Sequence, residues 1–183
     1  MKILSGLYKS RSLVAPKGDQ TRPTLAKVRS SLFESIQGRI EGTRFLDLFA
    51  GSGAMGFEAL SRGASFVCWV EKNPLAVHSI VRNIEMLGLL RQQVDVQKKD
   101  VLLWLDKIAG KYSTFDWIFA DPPYMAGNSR HLIEKIDQMP LLGVGGTFFL
   151  ETIDVLDGIL LQNMQLKGVR SFNKTFLYEY RMV

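Results

Sequence analysis

The chain is poor in the residues that make disulfides and metal sites. One cysteine and two histidines stand among 183 residues. Cys68 has no intrachain partner and lies within the apolar run Phe66 to Val70, where it reads as a small packed hydrophobe. His78 and His131 fall in separate helical stretches without acid–base partners, so neither a metal site nor histidine catalysis is expected. No apolar run approaches the ~20 residues of a membrane-spanning helix. Internal repeats and low-complexity segments are lacking too. The opening residues Met1-Lys2-Ile3-Leu4-Ser5-Gly6 have no secretory apolar core, which leads us to expect a cytoplasmic protein. Acids are scarce at one end. Residues 1–30 hold Lys2, Lys9, Arg11, Lys17, Arg22, Lys27 and Arg29 against Asp19 alone, a balance of +6 within a chain of net charge +5. So localised an excess is the electrostatic footprint of nucleic-acid binding, with a merely solvated surface as the plainer alternative.

What is present suits one domain with a full core and a small appendage. Hydrophobic residues make up 46% and charged residues 22%, an ordinary soluble composition. The first 40 residues read as a basic arm: strands over Ile3 to Tyr8 and Ser12 to Ala15, then a helix capped by Thr24 and ending near Gly38. Residues 41–183 read as the main domain. Strands are expected at 44–49, 66–71, 94–98, 116–121 and 147–151, and helices at 55–62, 74–87, 101–108 and 129–138. Asn73 before Pro74 is a capping residue followed by proline at the first helical position. Strands alternating with helices predict an α/β, mostly parallel, doubly wound sheet. Residues 164–172 and 175–180 predict an antiparallel hairpin closing it.

Two segments carry chemistry. The first is Asp121-Pro122-Pro123-Tyr124, after the apolar run Trp117 to Ala120. The prolines remove backbone donors and leave neighbouring carbonyls free to accept. Asp121 accepts hydrogen bonds, and Tyr124 offers a flat face for a planar ring. Together they predict a clamp for an exocyclic amine, although a tight turn after a strand would read alike. The second segment runs from Phe45 to Gly56, a strand, a glycine-bearing turn and a helix start. Gly51, Gly53 and Gly56 meet the dinucleotide spacing, a weak signal alone. Asp47 discriminates, because a carboxylate there repels a pyrophosphate but suits the cationic amino-acid end of S-adenosylmethionine. Glu71 ends the next strand, where an acid accepts from ribose hydroxyls. Asp100 follows the third strand, placed for an adenine amino group. Phe49, Lys72 and Val101 flank these acids, and Asp121 borders both ligands. Each acid alone could be a helix cap; jointly they predict an S-adenosylmethionine crevice without metal.

The order glycine loop, Glu71, Asp100, Asp-Pro-Pro-Tyr resembles the class I methyltransferases that modify exocyclic amines. Arg22-Pro23-Thr24, Val28-Arg29, the block Leu46 to Ala54, Glu58 to Ala64, Asp121 to Tyr124 and Leu150-Glu151 resemble the RsmD family over essentially the whole chain. Against that family's usual pattern, Ala26, Lys27, Ser30, Ser31 and Glu34 are departures. The resemblance implies a Rossmann-like class I fold. It implies methyl transfer to N2 of one guanine in 16S ribosomal RNA, within the small subunit or an assembly intermediate, by a monomer that releases S-adenosylhomocysteine. Asp121, Pro122, Pro123 and Tyr124 would then be catalytic. Lys9, Arg11, Lys17, Arg22, Lys27 and Arg29 would grip RNA phosphates, which give affinity without reading bases. The rival readings are an adenine-N6 methyltransferase, which shares the clamp, a non-catalytic RNA-binding assembly factor, which would need none of the four acids, and a nicotinamide oxidoreductase, which Asp47 disfavours.

Overall fold

The structure, a computed structural model, describes residues 1–16, 23–108, 110–123 and 128–183. Helix α1 (Pro23–Ser35) is followed by the alternation β1 (Arg44–Leu48), α2 (Ala54–Ser61), β2 (Phe66–Glu71), α3 (Pro74–Leu87), β3 (Val94–Lys98), α4 (Val101–Leu105), β4 (Phe115–Ala120), α5 (Asn128–Gln138) and β5 (Leu142–Thr152). The chain closes with β6 (Met164–Phe172) and β7 (Thr175–Met182). One seven-stranded sheet results, in the order β3-β2-β1-β4-β5-β7-β6. Strands β1 to β5 pair in parallel, and β7 runs antiparallel to both β5 and β6. The expected mostly parallel sheet with a terminal hairpin is thus observed.

Side-chain alternation along each strand divides the core in two. On β1, Leu46 and Leu48 join Val70, Ile118, Trp104 and the α5 residues Leu132, Ile133 and Ile136 on one face. Phe45 joins Val67, Trp69, Phe119, Phe149 and residues of α1 and α2 on the other. Asp47 lies between Leu46 and Leu48 in the strand, so it shares the face of Phe45. The same parity puts Asp121, beyond Phe119, and Glu151, beyond Phe149, on that face. Three acids therefore stand at the C-terminal ends of β1, β4 and β5, the edge at which open α/β sheets bind ligands.

In the arm, two details depart from the sequence reading. Helix α1 already includes Thr24, so Pro23 is its first residue and Thr24 is not its cap. Among its described residues the arm holds a single antiparallel bridge, Lys2 to Ser12, in place of two strands. The cause is where its amides go. Leu4 N–H and Ser5 N–H donate to the Glu58 carboxylate at 2.8 and 3.0 Å, and Tyr8 N–H donates to Ser61 Oγ at 2.9 Å. Leu7 N–H reaches the Ser61 carbonyl at 2.7 Å. Donors engaged by α2 cannot build a ladder. Gly6 packs so closely there that a Cβ would lie 1.7 Å from the Ser61 carbonyl oxygen, and its φ of +83° is open to glycine. Further along, Asn83 of α3 accepts from Val14 N–H at 2.8 Å and donates to the Val14 carbonyl at 2.9 Å. The arm is thereby fastened along α2 and α3.

Candidate active site

The turn between β1 and α2 is held open by left-handed backbone. Phe49, Gly51 and Gly53 have φ of 57°, 53° and 77°. Phe49 is the costly one, since a bulky residue there stores about 1–3 kcal/mol of strain, and such strain clusters at binding sites. Trp69 of β2 supports the loop from below, its indole N–H donating to the Gly53 carbonyl at 3.1 Å. Gly56 lets α2 close on that indole: a Cβ there would lie 2.3 Å from Trp69 Nε1. Gly53 packs on the same indole, where a Cβ would lie 3.0 Å from Nε1, and Gly56 makes the closer helix–strand approach. The apolar run Phe66 to Val70 marks Trp69 as plain core, and nothing in that strand pattern signals the bond to the loop.

The strand-end acids are tied to this scaffold by backbone amides. Asp47, 1% exposed, accepts from Gly56 N–H at 3.0 Å. Glu71 accepts from Gly51 N–H at 2.8 Å and from Asn73 N–H at 2.7 Å, so one carboxylate joins the glycine loop to the start of α3. Asp100 caps α4 through Leu102 N–H at 3.1 Å and meets Lys72 Nζ at 3.4 Å. A carboxylate has about four acceptor positions, so these bonds leave room for a ligand. Burial pushes the Asp47 carboxyl well above its ordinary range, helped by the fields of Glu71 and Asp121 and opposed by the Gly56 N–H. A cation arriving beside Asp47 would relieve that penalty.

A cavity of about 350 Å³ opens over the loop. Asp47, Phe49, Gly51 and Asp121 line it, as do Met1, Lys2 and Leu4 of the arm and Arg29 of α1. Asp121 is half-buried at the end of β4, with Pro122 buried and Pro123 exposed beyond it. Tyr124, the stacking half of the predicted clamp, lies outside the described residues, as do Lys17 and Arg22. Glu71 meets the cavity only through the loop it anchors. Asp100 lines a separate groove with Gln97, Lys99 and Lys107. Val101 gives its side chain to the core.

The basic arm divides in the same way. Lys9, Arg11 and Lys27 are exposed. Arg29 is not: it is 4% exposed, donates from Nη2 to the Lys2 carbonyl at 2.9 Å, and lies 3.9 Å from Glu58. The expected surface grip on a phosphate is corrected to a guanidinium in the cavity wall. Desolvation lowers its pKa, with Glu58 opposing and Arg62 adding to the shift. Among the described residues, no group of three or more ligating side chains could hold a metal.

Comparison with known proteins agrees with this architecture. The family description "Conserved hypothetical protein 95" matches residues 1–181. The "Ribosomal RNA small subunit methyltransferase D" of Buchnera aphidicola from Acyrthosiphon pisum is 30% identical over 178 residues, 97% of this chain and 91% of that protein. The solved structure of HI0767 from Haemophilus influenzae superposes with a TM-score of 0.85 at 26% identity, covering 100% of this chain and 98% of that one. At 17% identity and a TM-score of 0.68, SMU.776, solved as a complex with SAH, shares the fold over 85% of this chain and 48% of its own. From the full-length family match and the shared whole-chain architecture, the chain belongs to the Conserved hypothetical protein 95 family, the RsmD family of methyltransferases.

Proposed function

We propose that the protein transfers a methyl group from S-adenosylmethionine to the exocyclic N2 amine of a guanine in 16S ribosomal RNA. The observation that carries this reading is one cavity walled by both Asp47 and Asp121, at the ligand-binding edge of the sheet and over a glycine turn in left-handed backbone. Membership of the RsmD family and the small-subunit rRNA methyltransferase name of the Buchnera relative support the reaction and the RNA class. The SAH bound to SMU.776 supports the cofactor.

The residues present fit that cofactor. Buried acids suit a sulfonium and an ammonium, and the loop glycine Gly51 has open space where a Cβ would stand. Asp47, Phe49, Gly51 and Gly53 would hold its amino-acid end, with Glu71, Lys72, Asp100 and Val101 on the nucleoside side. Bound S-adenosylmethionine supplies an electrophilic methyl group. Asp121 and the Pro122 carbonyl accept from the target amine and turn its lone pair towards that methyl, with Pro123 fixing the turn and Tyr124 stacking on the base. As the N–CH3 bond forms and the sulfonium becomes a neutral thioether, the nitrogen would gain positive charge that Asp121 stabilises, and it would then lose one proton to Asp121 or to solvent. Most of the acceleration comes from alignment. A stacked base cannot present its amine in line, so the guanine is taken single-stranded or flipped. Lys9, Arg11, Lys17, Arg22 and Lys27 grip phosphates from the arm, residues 1–40, while residues 41–183 carry the chemistry. We place the protein in the cytoplasm as a monomer acting on the small subunit or its assembly intermediate.

The test is labelled methyl transfer to separated 16S rRNA, 23S rRNA, 30S particles and DNA, followed by nucleoside mapping. N2-methylguanine in 16S rRNA or 30S particles is the expected product. N6-methyladenine, or no transfer to any RNA, overturns the reading.

A further inference from the structure

Arg29 is a buried basic group in the cavity wall whose folding contacts do not exhaust its donors, whereas Lys2 beside it is exposed. It comes from α1, is 4% exposed, and is tied at Nη2 to the Lys2 carbonyl. Its Nε is buried without a hydrogen-bond partner, at 3.9 Å from Glu58 Oε2, too far for a bond. Glu58 meanwhile accepts from Leu4 N–H, Ser5 N–H and Arg62 Nε at 2.8, 3.0 and 2.8 Å, three of its about four acceptor positions, and meets Arg29 as a nearby charge without a hydrogen bond. A buried guanidinium with an unsatisfied donor is expensive unless something anionic completes it. The cavity supplies acids of its own, but Asp47 bonds to Gly56 N–H on the loop side. A carboxylate and a guanidinium thus both wall a single space of about 350 Å³.

We infer that this pair of walls is a receptor for a zwitterion, with Arg29 binding the α-carboxylate of the cofactor's amino-acid end and Asp47 facing its cationic groups. The inference rests on the S-adenosylmethionine reading above and names a recognition residue for it. Arg29 is predisposed for the task because a planar fork of donors matches a carboxylate, and burial strengthens the bond. The arm shares in it, since the Lys2 carbonyl fixes the guanidinium plane and Met1, Lys2 and Leu4 close the same cavity. Arg29 thus joins the cofactor and not the RNA phosphates.

The test crosses two proteins with three ligands in calorimetry: wild type and Arg29→Gln, against S-adenosylhomocysteine, its decarboxylated analogue, and 5′-methylthioadenosine. The wild type should bind S-adenosylhomocysteine about 10- to 100-fold more tightly than the decarboxylated compound, the scale of a charge-assisted bond in a buried site. Arg29→Gln should lose that preference, binding S-adenosylhomocysteine about as weakly as the analogue while its affinity for 5′-methylthioadenosine stays near wild type. Arg29→Lys should recover part of the preference. An equal fall on all three ligands would show that Arg29 only holds the arm, and would overturn the inference. Should Arg29→Gln not fold, the wild-type ratio decides alone: equal affinity with and without the carboxylate refutes it. Failure to bind any of the three ligands refutes the cofactor reading as well, an outcome distinct from binding without carboxylate preference.

Discussion

Removing the Glu58 carboxylate should detach the arm and cost more than any single substitution on the surface. Glu58 is fully buried in α2 and receives two arm amides, with Arg62 Nε at 2.8 Å and Arg29 Nε at 3.9 Å beside it. Glu58→Ala leaves two arm N–H groups and the Arg62 Nε without their acceptor, and removes the carboxylate charge beside Arg29. Breaking one side of a buried ion pair costs about 3–5 kcal/mol. For a chain of this size each kcal/mol lowers Tm by about 2–4 °C, so a fall on the order of 6–20 °C is expected. Calorimetry or circular dichroism at low protein concentration reads it. Glu34→Ala serves as the control: its partner is Ser30 one turn away on an exposed face, and its effect should be within about 0.5 kcal/mol. Because the arm walls the cavity, Glu58→Ala should also weaken S-adenosylhomocysteine binding at temperatures where it remains folded. A Tm shift below about 3 °C would refute the reasoning, for it would mean that arm and domain are held elsewhere.

Three further outcomes follow from the same geometry. The Asp47 carboxyl is raised above its usual 3.8 in the folded state, so its ionised form destabilises the cofactor-free protein from about that pH upward, increasingly until the raised pKa is reached. Asp47→Asn should therefore gain Tm over wild type as pH rises from about 4 towards neutral while losing cofactor affinity, and a pH-independent difference would contradict the assigned cause. Asp121→Ala should keep S-adenosylhomocysteine affinity within a few fold and lose single-turnover methyl transfer by about 10²-fold, the scale of one preorganised polar group; full activity would make the motif a packing turn. Lys9→Gln with Arg11→Gln removes two exposed charges, and the salt slope of RNA binding should flatten by roughly 0.7–0.9 for each; an unchanged slope would remove both from the RNA interface.

How much was legible depended on whether a signal was local. Helix α3 matches its sequence-read bounds, Pro74 to Leu87, because Asn73 and Pro74 start it and Gly88, at φ 67°, stops it. Strands β2 and β3 were equally plain, as short apolar or alternating runs between turn residues. By contrast β5 begins at Leu142, five residues before the reading. Its opening, Leu142-Gly143-Val144-Gly145-Gly146, has loop composition, and the structure carries it through a register shift between Phe115 and Trp117 on β4. Helix α4 stops at Leu105, yet Ile108 is still buried, so the apolar pattern outlasts the helical backbone. The two expected arm strands that do not form and the misplaced Arg29 share one cause. Both depend on Glu58, which sits about fifty residues from the arm amides and inside a helix, where an acid ordinarily reads as surface.

The strand-end acids show why caps and ligand residues need not be competing explanations. Each could be dismissed as a cap, and each does bind backbone N–H: Asp47 to Gly56, Glu71 to Gly51 and Asn73, Asp100 to Leu102. An open α/β sheet presents helix N-termini and strand C-termini at one edge, so an acid there meets amides whether or not a ligand exists. What a cap does not require is the burial of Asp47, which raises its carboxyl with Glu71 and Asp121 contributing to the same field. A structural cap gains nothing from like charges gathered around it, whereas a cation site does, since the ligand turns their mutual repulsion into attraction. The backbone bonds fix the carboxylates in place before the cation arrives, and the cation repays the cost of collecting them. On this argument the site is stabler full than empty, and the empty protein should gain stability when its negative charge is removed at Asp47.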